Sequence, residues 1–265
     1  MPRMELLSYL ISGAVAGLMA GLLGIGGGLV IVPALALLFL HQGFSADTVM
    51  HYAVGTSLAT IILTSISSLL AHQRRGSVYW PAVRHMAPGI LLGALASAWL
   101  AKQMSSTVLA LVFGVFLLLV AGQLLLGAKP APHRQLPGAV GLGATGGFIG
   151  LVSGLLGIGG GTMTVPFLLW NRVDIRLAVG TAATLGLPIA IAGTVGFVIN
   201  GLHAAAQPGN NSGFIYWPAV AAVALASVPA APLGARLAHH LPRVTLQRLF
   251  ALLLVIIGVK MISGA

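Results

Sequence analysis

The sequence predicts an all-α polytopic membrane protein that is built from two inverted repeats. Of its 265 residues, 58% are hydrophobic and only 6% are charged. Several apolar stretches are long enough to cross the roughly 30 Å hydrocarbon core of a bilayer as helices. A glycine-rich block also occurs twice, once in each half of the chain, which is typical of a membrane protein with an internal repeat.

The repeated block marks the domain organisation. Residues 17–28 and 150–161 are identical at ten of twelve positions, at an offset of 133. Three further matches follow in the same order: Ala-Val-Gly-Thr at 53–56 and 178–181, Tyr-Trp-Pro-Ala at 79–82 and 216–219, and Leu-Gly-Ala at 92–94 and 233–235. Four ordered matches argue against coincidence in an apolar sequence. We therefore predict repeats over 1–126 and 138–265, joined by a proline-rich linker at 127–137.

Six apolar segments of 19–24 residues, or roughly 28–36 Å as helices, are predicted to span the membrane. They are Thr48–Ala71, Pro81–Ala101, Ser105–Leu126, Leu177–Asn200, Phe214–Ala235 and Val244–Ile262. The arms that follow the glycines are shorter, since Leu29–Leu40 would reach only about 18 Å and Thr162–Trp170 about 14 Å. Each repeat is therefore predicted to be a glycine-broken helical hairpin followed by three transmembrane helices. Whether the hairpins cross fully or are re-entrant stays open.

The number of spans predicts the relative orientation of the repeats. A hairpin that enters and leaves on one side adds no net crossing, so three spans per repeat invert the second repeat. With the loop His41–Ala46 placed outside, ten of the thirteen Lys and Arg residues fall inside, as the positive-inside rule expects. The loops after the two hairpins also differ, because His41–Ala46 carries no Lys or Arg and Asn171–Arg176 carries two.

The glycines fall into two classes. Those spaced four apart before each break, at 13, 17 and 21 and at 146, 150 and 154, are expected to let another helix approach closely. The three consecutive glycines of each break leave backbone N–H groups uncovered, and the helix that follows presents a partial positive charge to an anion near mid-membrane. The alternative is a tight turn between packed arms. The candidate substrate-binding glycines are Gly24, Gly26, Gly27, Gly28, Gly157, Gly159, Gly160 and Gly161.

The spans offer hydroxyl groups but no carboxylates. The three acids, Glu5, Asp47 and Asp174, lie near segment ends, whereas a cation site inside a membrane normally uses acidic side chains. Hydroxyls that follow the shared Ala-Val-Gly are the predicted neutral contacts to an anionic substrate. They are Thr56, Ser57, Thr181 and Thr184. The alternative is that each hydroxyl bonds to a carbonyl of the preceding helical turn.

Other classes of function find little support. The net charge of +10 lies in short loops between spans, so no nucleic-acid partner is predicted. The absence of cysteine and the scattered histidines predict no metal site and no cofactor. Ser153 has no histidine in its arm and corresponds to Ala20 in the first repeat, so no catalytic residue and no enzyme activity are predicted. Proton coupling stays open, with His51 as its candidate.

The paired Gly-Ile-Gly-Gly-Gly and Val-Pro blocks, each followed by Ala-Val-Gly-Thr, resemble the TauE/SafE sulfite exporter family of membrane permeases over about residues 8–262. The resemblance implies a multi-pass protein of the plasma (inner) membrane that transports small sulfur-containing anions such as sulfite or organosulfonates. It carries the family motif onto both glycine breaks, with Pro33 and Pro166 as helix-break support. We expect a secondary transporter with alternating access between the repeats. A passive anion channel or facilitator is the alternative.

Overall fold

The computed structural model is mostly helical over the residues that it describes, which are 3–23, 27–126, 135–202, 210–237 and 243–264. The first half holds α1 (Arg3–Leu23), α2 (Gly28–His41), α3 (Val49–Arg74), α4 (Trp80–Lys102) and α5 (Ser106–Leu126). The second half holds α6 (Ala139–Leu156), α7 (Gly161–Trp170), α8 (Ile175–Gly201), α9 (Trp217–Leu237) and α10 (Arg243–Ser263). Two short antiparallel strands, β1 (Asn211–Ser212) and β2 (Ile215–Tyr216), precede α9.

The all-α polytopic membrane fold is confirmed. In the described residues, seven helices are long and apolar enough to cross a bilayer, namely α1, α3, α5, α6, α8, α9 and α10. Helix α4 is as long as these but carries Arg84 and His85 in its first two turns, and it falls outside that set. Each of the six predicted spans corresponds to one helix. The second hairpin arms α2 and α7 have 14 and 10 residues, which is about 21 and 15 Å, too short to span.

The helices pair between the halves rather than within them. Helix α1 packs along α9, and the equivalent helix of the second half, α6, packs along α4. Helices α3 and α8, which are equivalent to each other, form a central pair, and so do α5 and α10. This pairing is unchanged when the two halves are exchanged, as expected for an internal repeat. The first arm of each half is therefore docked on the other half.

The glycines before each break allow this docking. A Cβ placed on Gly13 would lie 2.5 Å from the carbonyl oxygen of Val223 in α9, which is closer than any side chain tolerates. In the second half, a Cβ placed on Gly150 would lie equally close to the backbone of Ile90 in α4. The same close approach occurs at Gly17 and Gly146. The predicted packing role of these glycines is confirmed, since only a bare Cα lets the helix backbones touch.

The central helices α3 and α8 run antiparallel. Gly55, near the start of α3, lies beside Phe197, near the end of α8, where a Cβ on Gly55 would be 3.3 Å from the Cβ of Phe197. Further along α3, the hydroxyl oxygen of Ser65 lies 3.1 Å from the position of a Cβ on Gly186, in the middle of α8. Residue numbers therefore rise along α3 while those of the contacting residues fall along α8, so the two helices point in opposite directions. Equivalent helices that point in opposite directions are what an inverted repeat requires.

The first hairpin begins and ends on one face of the bundle. The ring of Phe39, near the end of α2, lies 6.2 Å from the ring of Tyr9, near the start of α1. An aromatic cluster gathers at this end, formed by Tyr9, Phe39, Phe44, Tyr52, Phe214 and Tyr216. The loop between α2 and α3, predicted to be external, lies at this end as well. A hairpin of this shape adds no net crossing.

Cysteines introduced into this cysteine-free chain test the predicted topology. Ala46 and Gln135 are both exposed, in the loop after α2 and in the segment before α6. We expect Ala46→Cys to react with a membrane-impermeant maleimide in intact cells, and Gln135→Cys to react only after permeabilisation. The unsubstituted chain is the blank. Labelling of both cysteines from the same side would contradict the inverted arrangement.

Candidate functional site

The second glycine break is a defined backbone structure between α6 and α7. Helix α6 ends where Gly157 takes a left-handed φ of +66° and the N–H of Ile158 donates to the carbonyl of Ser153 at 2.9 Å. Gly160, with φ +72°, then precedes the first residue of α7. Residues other than glycine rarely adopt such φ values, because their Cβ clashes with the backbone. These two glycines are therefore required by the backbone itself.

The two breaks contact each other. A Cβ on Gly28, the first residue of α2, would lie 2.7 Å from the carbonyl oxygen of Gly157 and 2.9 Å from the Cα of Ile158. Gly27 is helical, with φ −77°, and lies against the backbone of Ala16 in α1. Gly24 and Gly26 lie outside the described residues. The structure thus brings the start of α2 directly against the second break.

The second break lies near the midpoints of the two central helices. The hydroxyl of Ser57, in α3, donates to the carbonyl of Gly157 at 2.8 Å. Gly159 lies beside Ile61 of α3, and its carbonyl lies 3.0 Å from the position of a Cβ on Gly186 of α8. Irregular backbone at the middle of a transmembrane bundle, covered by helices from both halves, is where transporters place their substrate sites.

The predicted threonines make structural hydrogen bonds. Thr56 of α3 accepts a bond from the backbone N–H of Tyr216 at 3.0 Å, and Thr181 of α8 accepts one from the N–H of Tyr79 at 2.9 Å. The two bonds are equivalent under exchange of the halves, and each ties a central helix to the segment before α9 or α4 of the other half. Thr184 donates to the carbonyl of Gly180 in its own helix at 2.9 Å.

The structure does not bring Thr56 and Thr181 together. Gly55, beside Thr56, lies opposite Phe197, which is sixteen residues from Thr181 along α8, or about 24 Å. The two threonines therefore lie towards opposite ends of the bundle, and the breaks lie between them. Of the four predicted hydroxyls, Ser57 is the one whose hydrogen bond reaches a break within the described residues.

Sequence reasoning missed three hydroxyls beside the second break. We call Ser153, Thr162 and Thr164 the hydroxyl cluster. Their oxygens are buried and have no hydrogen-bond partner within the described segments. Ser153 and Thr164 are 0% exposed, and both oxygens lie 3.6 Å from the position that a Cβ on Gly160 would take. An unpaired buried hydroxyl costs about 1–3 kcal/mol, so three of them together call for a physical reason.

A signal for these hydroxyls was present in the repeat. At the equivalent positions of the first repeat stand Ala20, Leu29 and Ile31, at the constant offset of 133. The sequence comparison used the first of these pairs only to argue against an enzyme. A search for positions where one repeat is polar and the other apolar would have found the whole cluster.

The electrostatics around the second break come from neutral donors. No Asp, Glu, Lys or Arg occurs in residues 138–170. The carbonyl of Gly160 accepts the N–H groups of Met163 and Thr164, at 3.1 and 2.8 Å, and in the described part of the chain the amides of Gly161 and Thr162 have no acceptor. These free amides and the helix dipole favour negative charge at the start of α7.

His51, the candidate for proton coupling, lies away from the breaks. It is buried in the first turn of α3, where its Nε2 is 2.9 Å from the carbonyl oxygen of Ala101. Its ring lies 5.0 Å from the ring of Phe214, at the end of the bundle that holds the aromatic cluster. Any effect of His51 on the breaks therefore has to be transmitted along α3.

The fold and its paired breaks define a multi-pass membrane protein of the transporter class. The family model described as "Sulfite exporter TauE/SafE" matches residues 9–261. A probable membrane transporter protein of Haemophilus influenzae is 35% identical over 97% of both chains, and the probable membrane transporter YunE of Bacillus subtilis is 28% identical over 98% of both. No solved structure matches. The chain belongs to the TauE/SafE sulfite exporter family of membrane transporters.

The threonine bonds predict a shared effect on stability. Thr56→Val or Thr181→Val keeps the side-chain shape but leaves the N–H of Tyr216 or Tyr79 without its acceptor, which costs about 1–3 kcal/mol. We expect both variants to lower the Tm of the purified protein. Thr60→Val is the control, since the Thr60 hydroxyl only donates to a carbonyl of its own helix. Substrate affinity that falls in both variants at an unchanged Tm would instead identify them as substrate contacts.

Proposed function

We propose that this protein is a secondary transporter of small sulfur-containing anions, such as sulfite or organosulfonates, in the plasma (inner) membrane. The observation that carries the proposal is the contact between Gly28 and Gly157, where the glycine breaks of the two repeats meet between the central helices. The class of substrate follows the description of the family. At the proposed site, the first residue of α2 lies against the backbone of Gly157 and Ile158 in the second break.

The arrangement of the repeats supports alternating access. Equivalent helices α3 and α8 run antiparallel, and the helix pairs exchange with one another when the repeats are exchanged. In such a fold, the conformation that opens the site to one side has a counterpart that opens it to the other, reached when the repeats swap conformations. A site at the contact between repeats is then exposed to each side in turn.

The chemistry of the breaks supports an anionic substrate. The proposed contacts are backbone and hydroxyl groups at Gly24, Gly26, Gly27, Gly28, Ser57, Gly157, Gly159, Gly160 and Gly161. Residues 6–40 and 138–170 contain no charged side chain, so no carboxylate repels an anion there. Pro33 and Pro166 lie at the same position of α2 and α7. Because proline has no N–H, each interrupts one helix hydrogen bond just beyond the break.

Thr56 and Thr181 enter the proposal as groups that tie the central helices to the opposite repeat, and Thr184 as a group bonded within α8. Their hydroxyls are occupied by backbone partners, so a direct contact with the substrate requires those bonds to open. In an alternating-access cycle, the bonds at Thr56 and Thr181 lie at opposite ends of the bundle. Their alternate opening would couple the start of α9 and the start of α4 to the state of the transporter.

Two glycine variants test the backbone site. A Cβ on Gly159 meets a single atom, 3.6 Å away on Ile61, and one on Gly27 comes no closer than 3.2 Å, to the end of Ile31. Neither glycine has a positive φ. Gly27→Ala and Gly159→Ala should therefore fold and purify as monodisperse protein, while the added methyl obstructs an anion and strongly reduces sulfite uptake into proteoliposomes.

Two further glycines supply the controls for this experiment. Gly122→Ala, in α5, meets nothing within 4 Å and should transport as the parent does. Gly17→Ala places its methyl group into the backbone of Ser227 and should reduce folding and transport together. Normal transport by both Gly27→Ala and Gly159→Ala would overturn the backbone site.

A passive anion channel or facilitator is the second candidate, because the same donors would suit it. Proteoliposome flux of sulfite, thiosulfate, sulfoacetate, sulfate and chloride, measured with and without a pH gradient, separates the two. We expect saturable flux of a sulfur anion, with a proton effect if transport is coupled to protons. Electrogenic flux that does not saturate would identify a channel. Transport of chloride alone would contradict the sulfur-anion class.

A further inference from the structure

We propose that the Ser153 and Thr164 hydroxyls of the hydroxyl cluster bind the oxygens of a small, singly charged oxyanion at the start of α7. The inference rests on the proposed function, and it adds side-chain contacts from the second repeat to the backbone contacts proposed above. It also narrows the substrate to anions with one negative charge, such as a sulfonate group, and excludes sulfate as a preferred ligand.

The first support is that these hydroxyls depart from the ordinary behaviour of hydroxyls in helices. Thr145 of α6 bonds to the carbonyl of Gly141 at 2.8 Å, one turn earlier, as helix threonines commonly do. Ser153, in the same helix, is fully buried and makes no such bond, and the same holds for Thr164 in α7. Their O–H groups are free donors that a ligand can use.

The second support is that two of the three unpaired hydroxyls, those of Ser153 and Thr164, lie close to one backbone position. The oxygens of Ser153 and Thr164 each lie 3.6 Å from the position of a Cβ on Gly160, so they are at most twice that distance apart. Gly160 caps α7, whose first amides, at Gly161 and Thr162, have no acceptor among the described residues. Hydroxyl donors from α6 and α7 therefore lie near the free amides at the start of α7.

The third support is the asymmetry between the repeats. The first repeat has the same glycine break but carries Ala20, Leu29 and Ile31 where the second carries the cluster. Helices α1 and α2 of the first repeat therefore form without hydroxyls at these positions. We assign the Ser153 and Thr164 hydroxyls of the second repeat to a ligand.

The charge of the ligand follows from the donors. No cationic side chain occurs in residues 138–170, so the buried anion is balanced only by hydroxyls, amides and the partial charge of a helix terminus. The cost of removing an ion from water rises with the square of its charge, so a dianion loses far more hydration than these neutral donors replace. A Cβ on Gly160 would lie 2.5 Å from the end of the Ile189 side chain, so a head group bound here has to be small and has to move that side chain aside.

Ligand binding by purified protein tests this inference with methanesulfonate, which carries one negative charge at any pH near neutrality, and with sulfate, which carries two. We expect the parent protein to bind methanesulfonate at least tenfold more tightly than sulfate in titration calorimetry. Ser153→Ala and Thr164→Val should each weaken methanesulfonate binding about tenfold or more, the effect of losing a hydrogen bond to a charged ligand. Thr145→Val, which removes a hydroxyl already bonded within α6, should bind as the parent does.

The Tm without ligand separates binding from folding. Because Ser153 and Thr164 make no hydrogen bond, their removal should leave the Tm of the unliganded protein unchanged or raised. Parent-like methanesulfonate affinity in both variants, or sulfate binding as tight as methanesulfonate binding, would overturn the inference. If those variants transport normally while Gly27→Ala and Gly159→Ala do not, the proposed function stands and the cluster is not its site. Methanesulfonate binding that needs the cluster, without transport of any sulfur anion, would support the site and overturn the proposed transport.

Discussion

Backbone N–H and C=O groups within a bilayer have no water to bond with, so they must be bonded or enclosed by the protein. The architecture of this chain depends on how it encloses the two glycine breaks. The second break is enclosed by α2, α3 and α8, and the Ser57 hydroxyl supplies a donor to its first free carbonyl. Cover of this kind requires helices from both repeats. The glycines of α1 and α6 provide it by drawing each hairpin against the opposite repeat until the backbones touch.

Much of this fold was predictable because its signals are local. Span length depends on continuous apolar sequence, and the glycine spacing of Gly13 and Gly17 indicates a bare helix face without reference to its partner. The identity of that partner was not predictable, since α9 lies some two hundred residues further along the chain. Thr56 and Thr181 were recognised as equivalent from their shared motif, but their bonds go to Tyr216 and Tyr79 of the opposite repeats. Only the packing of one repeat on the other shows that.

The two repeats share side-chain bonds at some positions and differ in polarity at others. Positions that match, such as Thr56 with Thr181, make matching bonds within the protein. Two polar positions that differ lie at the second break: Ser57 corresponds to Ala182, and Ser153 to Ala20. Ser57 bonds to that break, and Ser153 lies beside it with its hydroxyl unpaired. An internal repeat thus supplies its own comparison, which separates shared side-chain bonds from polar groups found in one repeat only.

The docking of α1 on α9 also sets an order of events during synthesis. Helix α1 is synthesised long before its partner α9, which begins at Trp217. At about 5–20 residues per second, the ribosome needs roughly 10–40 s to cover the intervening two hundred residues. Throughout that time the glycine face of α1 is without the helix that it packs against in the folded protein. Because no charged residue occurs from position 6 to position 40, the hairpin can stay in the bilayer until α9 is synthesised. Assembly is therefore completed late, after α9 has been synthesised and can pack on α1.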